Sequence, residues 1–207
     1  LRINVTGTNI KRVDTETAAP IETITREDIQ ASGLQTIAAV VQSITANNNG
    51  TISNAFVNGF GAGASGVSLR GLGANNTLVL INGRRLAVYG LADDGQRSFV
   101  NLNQVPFDAV ERIEILKDGA SAIYGSDAVA GVVNIILREQ YTGVTATATG
   151  GATYKGDGEQ FRGAITAGIG DLTKDRYNAF ITVDGQTQNA IPTTNRRQYV
   201  GTNNLEF

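Results

Sequence analysis

The chain has 207 residues, and its 17 Lys plus Arg against 19 Asp plus Glu give a formal charge of −2. This balance excludes a strongly basic nucleic-acid-binding protein, so we expect no nucleic-acid partner. The chain contains no Cys and no His, which excludes thiol and imidazole nucleophiles, zinc sites, haem axial histidines and iron–sulfur clusters. We therefore expect no cofactor. An envelope hydrolase is also disfavoured, because the sequence has no Ser-x-x-Lys pattern either, and we expect no enzymatic activity.

Residues 1–14 form the first of three regions and are predicted to be extended, because they are short, β-branched and flanked by charge. No stretch of the chain reaches the ~18 consecutive apolar residues of a transmembrane helix. The sequence begins without Met or a signal-peptide pattern, and we expect it to be part of a longer chain.

Residues 15–140 form the second region and mix helix and strand patterns. A short alternation follows Pro20, and Thr25-Arg26-Glu27-Asp28 then matches a capping box at the start of a helix that ends at Gly33. A second helix is predicted by apolar residues spaced i, i+3, i+4 and i+7, which are Ile37, Val40, Val41 and Ile44.

The remainder of the second region predicts strands separated by loops. Asn82-Gly83 marks a tight turn, and Pro106 fits the first position of a brief helix. The loops are the Gly/Asn-rich stretch 47–66 and the polar stretch 89–99. The predicted strands are 67–70, 77–82, 112–116 and 132–137. We expect the last three of them to share one sheet.

Two apparent motifs carry little weight. Gly61-x-Gly63-x-x-Gly66 matches a dinucleotide fingerprint, but a loop precedes it and a strand follows it, so the helix N-terminus that holds a pyrophosphate is missing. Asp93-Asp94-Gly95 offers too few oxygens for calcium and is better explained as a solvated turn.

Residues 141–207 form the third region, in which apolar and polar residues alternate over runs of about 10 residues, the length of a tilted transmembrane strand. Alternation alone does not separate such strands from a soluble antiparallel meander. We expect the segments 143–154, 160–170 and 176–187 to form one antiparallel sheet. One face would carry Val144, Ile165, Ile169, Ile181 and Val183, and the other Thr145, Arg162, Thr166, Asn178 and Asp184.

Four segments, in this order, resemble the TonB-dependent outer-membrane receptors. INVTGT at residues 3–8 is similar to the TonB box, and PIETITREDIQASG at 20–33 to the opening strand and helix of the plug. VSLRGLGANNTLVLINGRRL at 67–86 and RIEILKDGASAIYGSDAVAGVVNIILR at 112–138 resemble the middle and final plug signatures. Asn4 departs from the family, which often has an aliphatic residue there.

The resemblance implies the fold class: an α+β plug domain with a small mixed β-sheet and short helices, followed by the first antiparallel strands of a truncated transmembrane β-barrel. Residues 1–14 would be a TonB-box-like segment, 15–140 the plug, and 141–207 about three strands of a barrel that has 22 in this family.

The resemblance also implies the function, which is TonB-dependent uptake of a scarce ligand across the bacterial outer membrane, with the plug inside the barrel and the N-terminus in the periplasm. The ligand classes are siderophore, cobalamin, haem and oligosaccharide. The partners would be TonB with its inner-membrane energising complex, a small-molecule or metal-chelate ligand, and outer-membrane lipid. The expected TonB contacts are Ile3, Asn4, Val5, Thr6 and Gly7.

Two further sets of site residues follow from the same resemblance. The ligand-facing loops would offer Phe56, Asn58, Phe60, Tyr89, Asp93, Gln96 and Arg97. The plug would contact the barrel through Arg70, Arg112 and Lys117. The main alternative is a soluble periplasmic α+β binding or assembly module with an attached β-meander.

Overall fold

The structure is a computed structural model and describes residues 21–47, 50–52, 63–93, 95–189 and 191. The described residues fall into two compact units that divide between Gln140 and Tyr141. In this part of the chain, no helix combines the length and the apolar character needed to span a membrane.

The first unit is built on a five-stranded mixed sheet with three short helices. Its elements are β1 (Ile21–Thr25), α1 (Arg26–Ala31), α2 (Ile37–Gln42), β2 (Thr77–Ile81), β3 (Arg84–Arg85), β4 (Val110–Leu116), α3 (Ser121–Tyr124) and β5 (Gly131–Leu137). The strand order is β1-β4-β5-β2-β3. Only the β2–β5 pair is parallel, and the other pairs are antiparallel. The three predicted central strands therefore lie in one sheet, and the predicted α+β class is confirmed.

Local sequence signals account for the first two helices. Thr25 and Asp28 form the predicted capping box: the Thr25 hydroxyl accepts the Asp28 amide at 3.2 Å, and the Asp28 carboxylate accepts the Thr25 amide at 3.0 Å. The helix ends before Gly33, which has the left-handed φ of 68° that favours glycine. Thr36 caps α2 with one bond only: its hydroxyl accepts the Ala39 amide at 3.0 Å. Ile44 lies beyond the end of α2, but its side chain still packs in the core.

Both faces of the central sheet are buried. Val79, Ile113 and Ile135 pack on one face together with α2, whereas Leu80, Leu116 and Val132 pack on the opposite face. This division follows from the period of two along a strand, which sends successive side chains to opposite faces. Strands covered on both sides read as continuous apolar runs, which is how TLVLI and VVNIIL appear in the sequence.

Two predictions for the first unit need correction. Residues 67–70 do not form a strand: Leu69 makes a single bridge to Asn47, and Arg70 turns the chain with a φ of 55°. The Leu69 amide donates to the Thr77 hydroxyl at 3.0 Å, so its hydrogen bond goes to a side chain instead of a strand partner. Pro106 precedes a single 3₁₀ turn, Phe107–Ala109, which leads directly into β4.

The second unit is an antiparallel sheet of β6 (Gly143–Gly151), β7 (Gln160–Ile169) and β8 (Ala179–Gln188), in that order. The register pairs Ala146 with Ile165 and Ile165 with Val183, so these apolar side chains share one face. The other face carries Arg162 and Asp184, whose charged groups lie 3.8 Å apart. Arg162 and Thr166 are buried, whereas the apolar face is exposed.

Asn178 is the exception to the predicted alternation. It precedes β8 and does not belong to the polar face of that strand. Its amide nitrogen donates to the carbonyl oxygens of Tyr141 at 2.9 Å and of Gly170 at 2.7 Å, and its carbonyl oxygen accepts the Tyr141 amide at 3.0 Å. The side chain therefore fastens the turn between β7 and β8 to the start of the unit.

Candidate functional site

The segment 86–101, in which Asp94 lies outside the described residues, folds back on itself as a hairpin that we call the apical hairpin. The Tyr89 amide donates to the Phe99 carbonyl at 2.7 Å. Nearer the tip, the Asp93 amide donates to the Arg97 carbonyl at 3.0 Å, and the Arg97 amide donates back to the Asp93 carbonyl at 2.9 Å. Gly95 makes the reversal with a φ of 70°, a conformation that costs glycine little.

Aromatic packing holds the base of the apical hairpin. The Tyr89 and Phe99 rings lie with their centroids 5.4 Å apart at a tilt of 35°. Phe99 is buried in a small apolar cluster with Ile52, Ala64 and Ala74, and the half-buried Tyr89 packs against it. Because aromatic packing is short-ranged, this cluster fixes the two ends of the hairpin against the neighbouring loop.

The end of the predicted loop 47–66 contacts the residues that directly follow the predicted loop 89–99. The Ser65 amide donates to Oδ1 of Asn101 at 3.0 Å, and the Leu102 amide donates to the Ser65 carbonyl at 2.9 Å. Asn103 adds a bond from its Nδ2 to the Gly63 carbonyl at 3.1 Å. Phe56, Asn58 and Phe60 lie outside the described residues, so their predicted role stays a prediction.

Asn101 and Gln42 also organise this region, although neither was predicted from the sequence. Asn101 caps a 3₁₀ turn, Leu102–Gln104, by accepting the Asn103 amide, and the same oxygen accepts from Ser65. Gln42, at the end of α2, donates to the carbonyls of Ile52 and Gly66, each at 3.1 Å. The Asn-Leu-Asn start of the turn gave a local signal for Asn101, whereas nothing local to Gln42 indicates partners 10 and 24 residues away.

Asp93 is not the solvated turn residue that its sequence context predicts. Its side chain is 0% exposed, and its Oδ2 lies 2.5 Å from Nη2 of Arg97, whose side chain is 37% exposed. A buried carboxylate is costly unless it is paired, so Arg97 is the charge that permits this burial. Gln96, between them in the turn, is exposed.

The three predicted plug–barrel residues each have a partner inside the first unit. Arg70 donates from Nε to the Ala130 carbonyl at 3.1 Å and from Nη2 to the Val129 carbonyl at 2.7 Å. Arg112 pairs with Glu114 at 2.9 Å, and Lys117 pairs with Glu22 at 2.8 Å. Their contacts with a barrel stay a prediction.

The TonB contacts and a possible metal site are the remaining points to compare with the structure. The predicted TonB contacts, Ile3, Asn4, Val5, Thr6 and Gly7, lie outside the described residues. Among the residues that are described, no cluster of three or more acidic side chains is placed to hold a metal ion. The part of the candidate site that the structure describes is therefore the apical hairpin with its junction to residues 63–66.

Comparison with known proteins gives a consistent result. The family model of the TonB-dependent receptor plug domain matches residues 13–132. The vitamin B12 transporter BtuB of Photobacterium profundum is 32% identical over 167 residues, which cover 81% of this chain and 25% of the transporter.

Solved structures are similar in fold. The siderophore receptor PirA of Acinetobacter baumannii has a TM-score of 0.61 and 26% identity over 81% of this chain and 24% of its own. The ferric enterobactin receptor PfeA of Pseudomonas aeruginosa, a mutant in complex with enterobactin, has a TM-score of 0.62 and 23% identity over 84% of this chain and 26% of its own. The chain thus spans about a quarter of the length of each of these three proteins.

Proposed function

The chain belongs to the TonB-dependent receptor plug domain family, and on that premise we propose that the protein imports a scarce ligand across the bacterial outer membrane. In this proposal the first unit is the plug that closes the transport path, and the second unit contributes the first strands of the surrounding barrel. The named relatives transport vitamin B12 or bind siderophores. The proposed ligand belongs to one of four classes: siderophore, cobalamin, haem or oligosaccharide.

The proposal rests mainly on the order of the two structural units along the chain. A plug-family sheet is followed directly by strands whose apolar residues share one exposed face. The exposed fractions on that face are 76% for Val144, 65% for Ile169 and 65% for Ile181. An apolar face of this kind matches lipid, and the opposite polar face matches the lumen of a barrel.

The same face disfavours the alternative of a soluble periplasmic module. In a soluble meander, other parts of the protein would cover such an apolar face, because soluble monomers rarely expose large contiguous apolar surfaces. Here the patch extends across all three strands and includes Phe161, Ile165 and Val183. We therefore propose an outer-membrane location. The resemblance of residues 3–8 to a TonB box is the basis for proposing a periplasmic N-terminus.

TonB is the proposed source of energy, and residues 3–7 are its proposed contact. A short β-branched segment suits pairing with a partner strand, because main-chain hydrogen bonds need little side-chain identity. The chain passes from this segment to β1, which lies at the edge of the plug sheet and pairs with β4. Force applied to the N-terminal segment would act on this edge strand before it reached the sheet centre.

A proline substitution tests the proposed TonB contact. Val5→Pro removes an amide from the segment, whereas Val5→Ala keeps the amide and removes only the side-chain methyl groups. In pull-down with the periplasmic domain of TonB, we expect the full receptor to bind as wild type and as Val5→Ala but not as Val5→Pro. Cells expressing the proline variant should bind ligand at the surface and fail to import it. Equal TonB binding by all three proteins would refute this contact.

A further inference from the structure

The turn that joins β2 to β3 carries a chemically labile pair of residues that the proposed function does not use. Asn82 and Gly83 make this turn, with φ values of 48° and 76°. Both residues are exposed, so water reaches them. An asparagine followed by glycine loses its side-chain amide more readily than other asparagines, because glycine has no side chain to hinder attack by its backbone nitrogen.

The loss of the amide proceeds through a cyclic succinimide. The Gly83 backbone nitrogen attacks Cγ of Asn82, a C–N bond forms, and the side-chain nitrogen leaves as ammonia, which takes up the proton that the Gly83 amide loses. Water then adds to either carbonyl of the ring and opens it, which gives aspartate or isoaspartate. Water is the only co-reactant, and the backbone of isoaspartate is longer by one methylene group.

Strand β5 holds both reacting groups of this pair. The Gly83 amide donates to Oδ1 of Asn134 at 3.0 Å. Oδ1 of Asn82 accepts the Leu137 amide at 2.8 Å, and the Asn82 amide donates to the Ile135 carbonyl at 3.0 Å. The nucleophilic nitrogen and the side chain that carries the reacting carbon are therefore both bonded to β5, a strand 51 to 55 residues further along the chain.

Asn134 is a buried polar residue in an otherwise apolar strand. It lies within VVNIIL and is 5% exposed. Burial of a polar side chain is unfavourable unless the side chain is hydrogen-bonded. The register pairs Asn134 with Leu80, two residues before Asn82, which brings its side chain within reach of the turn. The bond to the Gly83 amide is a contact that an apolar side chain at this position could not make.

This bond opposes the closure of the succinimide ring. The Gly83 nitrogen must leave Oδ1 of Asn134 before it can attack Cγ of Asn82. The bond from Leu137 holds the Asn82 side chain against β5 at the same time. A reaction that must first break hydrogen bonds of the folded state is slowed by a factor that reflects their net strength.

We propose that Asn82-Gly83 is a deamidation site and that Asn134 is the positioning residue that protects it by holding the Gly83 amide. Isoaspartate formation would lengthen the backbone of the turn and disturb the register of β3 with β2. Because Arg85 of β3 pairs with Asp127, the disturbance would also reach the segment that follows α3.

The test follows deamidation of the full receptor in neutral buffer by peptide mass spectrometry. The sequence has two other Asn-Gly pairs, Asn49-Gly50 and Asn58-Gly59, which serve as internal references. We expect Asn82 to deamidate more slowly in the folded receptor than in the urea-denatured receptor. Asn134→Ala should accelerate the reaction at Asn82 about fivefold, the factor that corresponds to one hydrogen bond of typical net strength, and should leave the reference pairs unchanged.

Two further variants separate the hydrogen bond from a general loosening of the sheet. Asn134→Asp keeps an acceptor oxygen for the Gly83 amide, and deamidation at Asn82 should stay slow. Val133→Ala removes a buried side chain from the opposite face of β5 and keeps Asn134, so Asn82 should react at nearly the wild-type rate.

Three outcomes would overturn the proposal. If Asn82 stayed intact in the denatured receptor, the turn would not be a deamidation site. If Asn134→Ala reacted at the wild-type rate, Asn134 would not protect the turn. If Val133→Ala accelerated the reaction as much as Asn134→Ala, the stability of β5 as a whole would set the rate, and the hydrogen bond from Gly83 would not.

Discussion

Arg26 pairs with Asp108, 82 residues further along the chain, with Nη2 and Oδ1 2.7 Å apart. The Arg26 guanidinium also donates to the carbonyls of Phe107 and Val110, and it lies 5.3 Å from the centre of the Phe107 ring. Both charged side chains are about one-tenth exposed. The start of α1 is thereby fixed to the turn that precedes β4, next to the edge strand that the N-terminal segment would pull.

Removal of this link should destabilise the N-terminal part of the plug. Arg26→Ala should cost about 3 kcal/mol, because it removes the guanidinium that pairs with a largely buried carboxylate and donates to two carbonyls. Lys117→Ala breaks the more exposed pair with Glu22 and should cost no more than about 1 kcal/mol. Hydrogen exchange of β1 and α1 amides in the full receptor measures both values. Equal protection in the two variants would show that the Arg26 link adds nothing.

Gly131 at the start of β5 should tolerate no side chain. Its φ is 133°, and an added Cβ would lie 2.4 Å from the Leu116 carbonyl oxygen and 2.9 Å from Cδ1 of Leu69. Gly131→Ala should therefore cost about 3 kcal/mol or more, because backbone atoms of the sheet would have to move. Gly90→Ala is the matched control, since nothing lies within 4 Å of its added Cβ. Limited proteolysis of the plug in the full receptor compares them, and similar resistance would contradict the prediction.

Asp28 should make α1 sensitive to acid. Its carboxylate accepts hydrogen bonds from the Thr25 amide and hydroxyl, which lower the pKa of Asp28 below its ordinary value. Because the folded pKa is the lower one, the stabilisation is present above the ordinary pKa of about 4 and is lost as the pH falls through the folded value.

Amide exchange in α1 as a function of pH measures this effect. The wild-type helix should lose protection as the pH falls below about 4, and Asp28→Asn should flatten that dependence. Glu27→Gln, which changes an exposed carboxylate in the same helical turn, should leave the acid dependence in place. If the pH dependence of amide exchange in α1 were unchanged in Asp28→Asn, the capping box would not be the source of the acid sensitivity.

The two faces of the second sheet should respond differently to charge. Ile165 lies on the exposed apolar face, and the register places Thr147 on the opposite one. If the apolar face meets lipid, Ile165→Arg should cost about 2–4 kcal/mol near the bilayer midplane, whereas Thr147→Arg should cost much less. Unfolding of the full receptor in lipid vesicles measures the difference. Equal costs would place both faces in water.

Local sequence signals predict much of the first unit correctly because their physical causes lie within a few residues. The capping box joins Thr25 and Asp28 across one helical turn. Asn82-Gly83 takes positive φ at both residues, 48° and 76°, as a two-residue hairpin turn requires. The apolar runs of β2, β4 and β5 indicate strands buried on both faces, and they all lie in one sheet.

Residues 67–70 illustrate where such reasoning fails. Their alternation is typical of a strand, but the Leu69 amide is taken by Thr77 and the Arg70 amide by the Ala46 carbonyl at 2.7 Å. A segment forms a strand only if a neighbouring segment of the chain offers a continuous row of backbone hydrogen-bond partners. The sequence of the segment itself does not show whether such a neighbour exists. Asn178 fails for the same reason, since its partners lie on the turn after β7 and at Tyr141.

The sequence by itself determined the family, through the resemblance of four segments. It also determined the class of fold and most helices and strands, because caps, turns and alternation act between near neighbours. Only the tertiary structure decided that β2 and β5 pair in parallel, that Gly131 lies against the Leu116 carbonyl, and that Asp93 is buried against Arg97. Burial and charge pairing depend on which distant segments pack together. Asp93-Asp94-Gly95 has the composition of an exposed turn, and only the folded hairpin removes the first carboxylate from water.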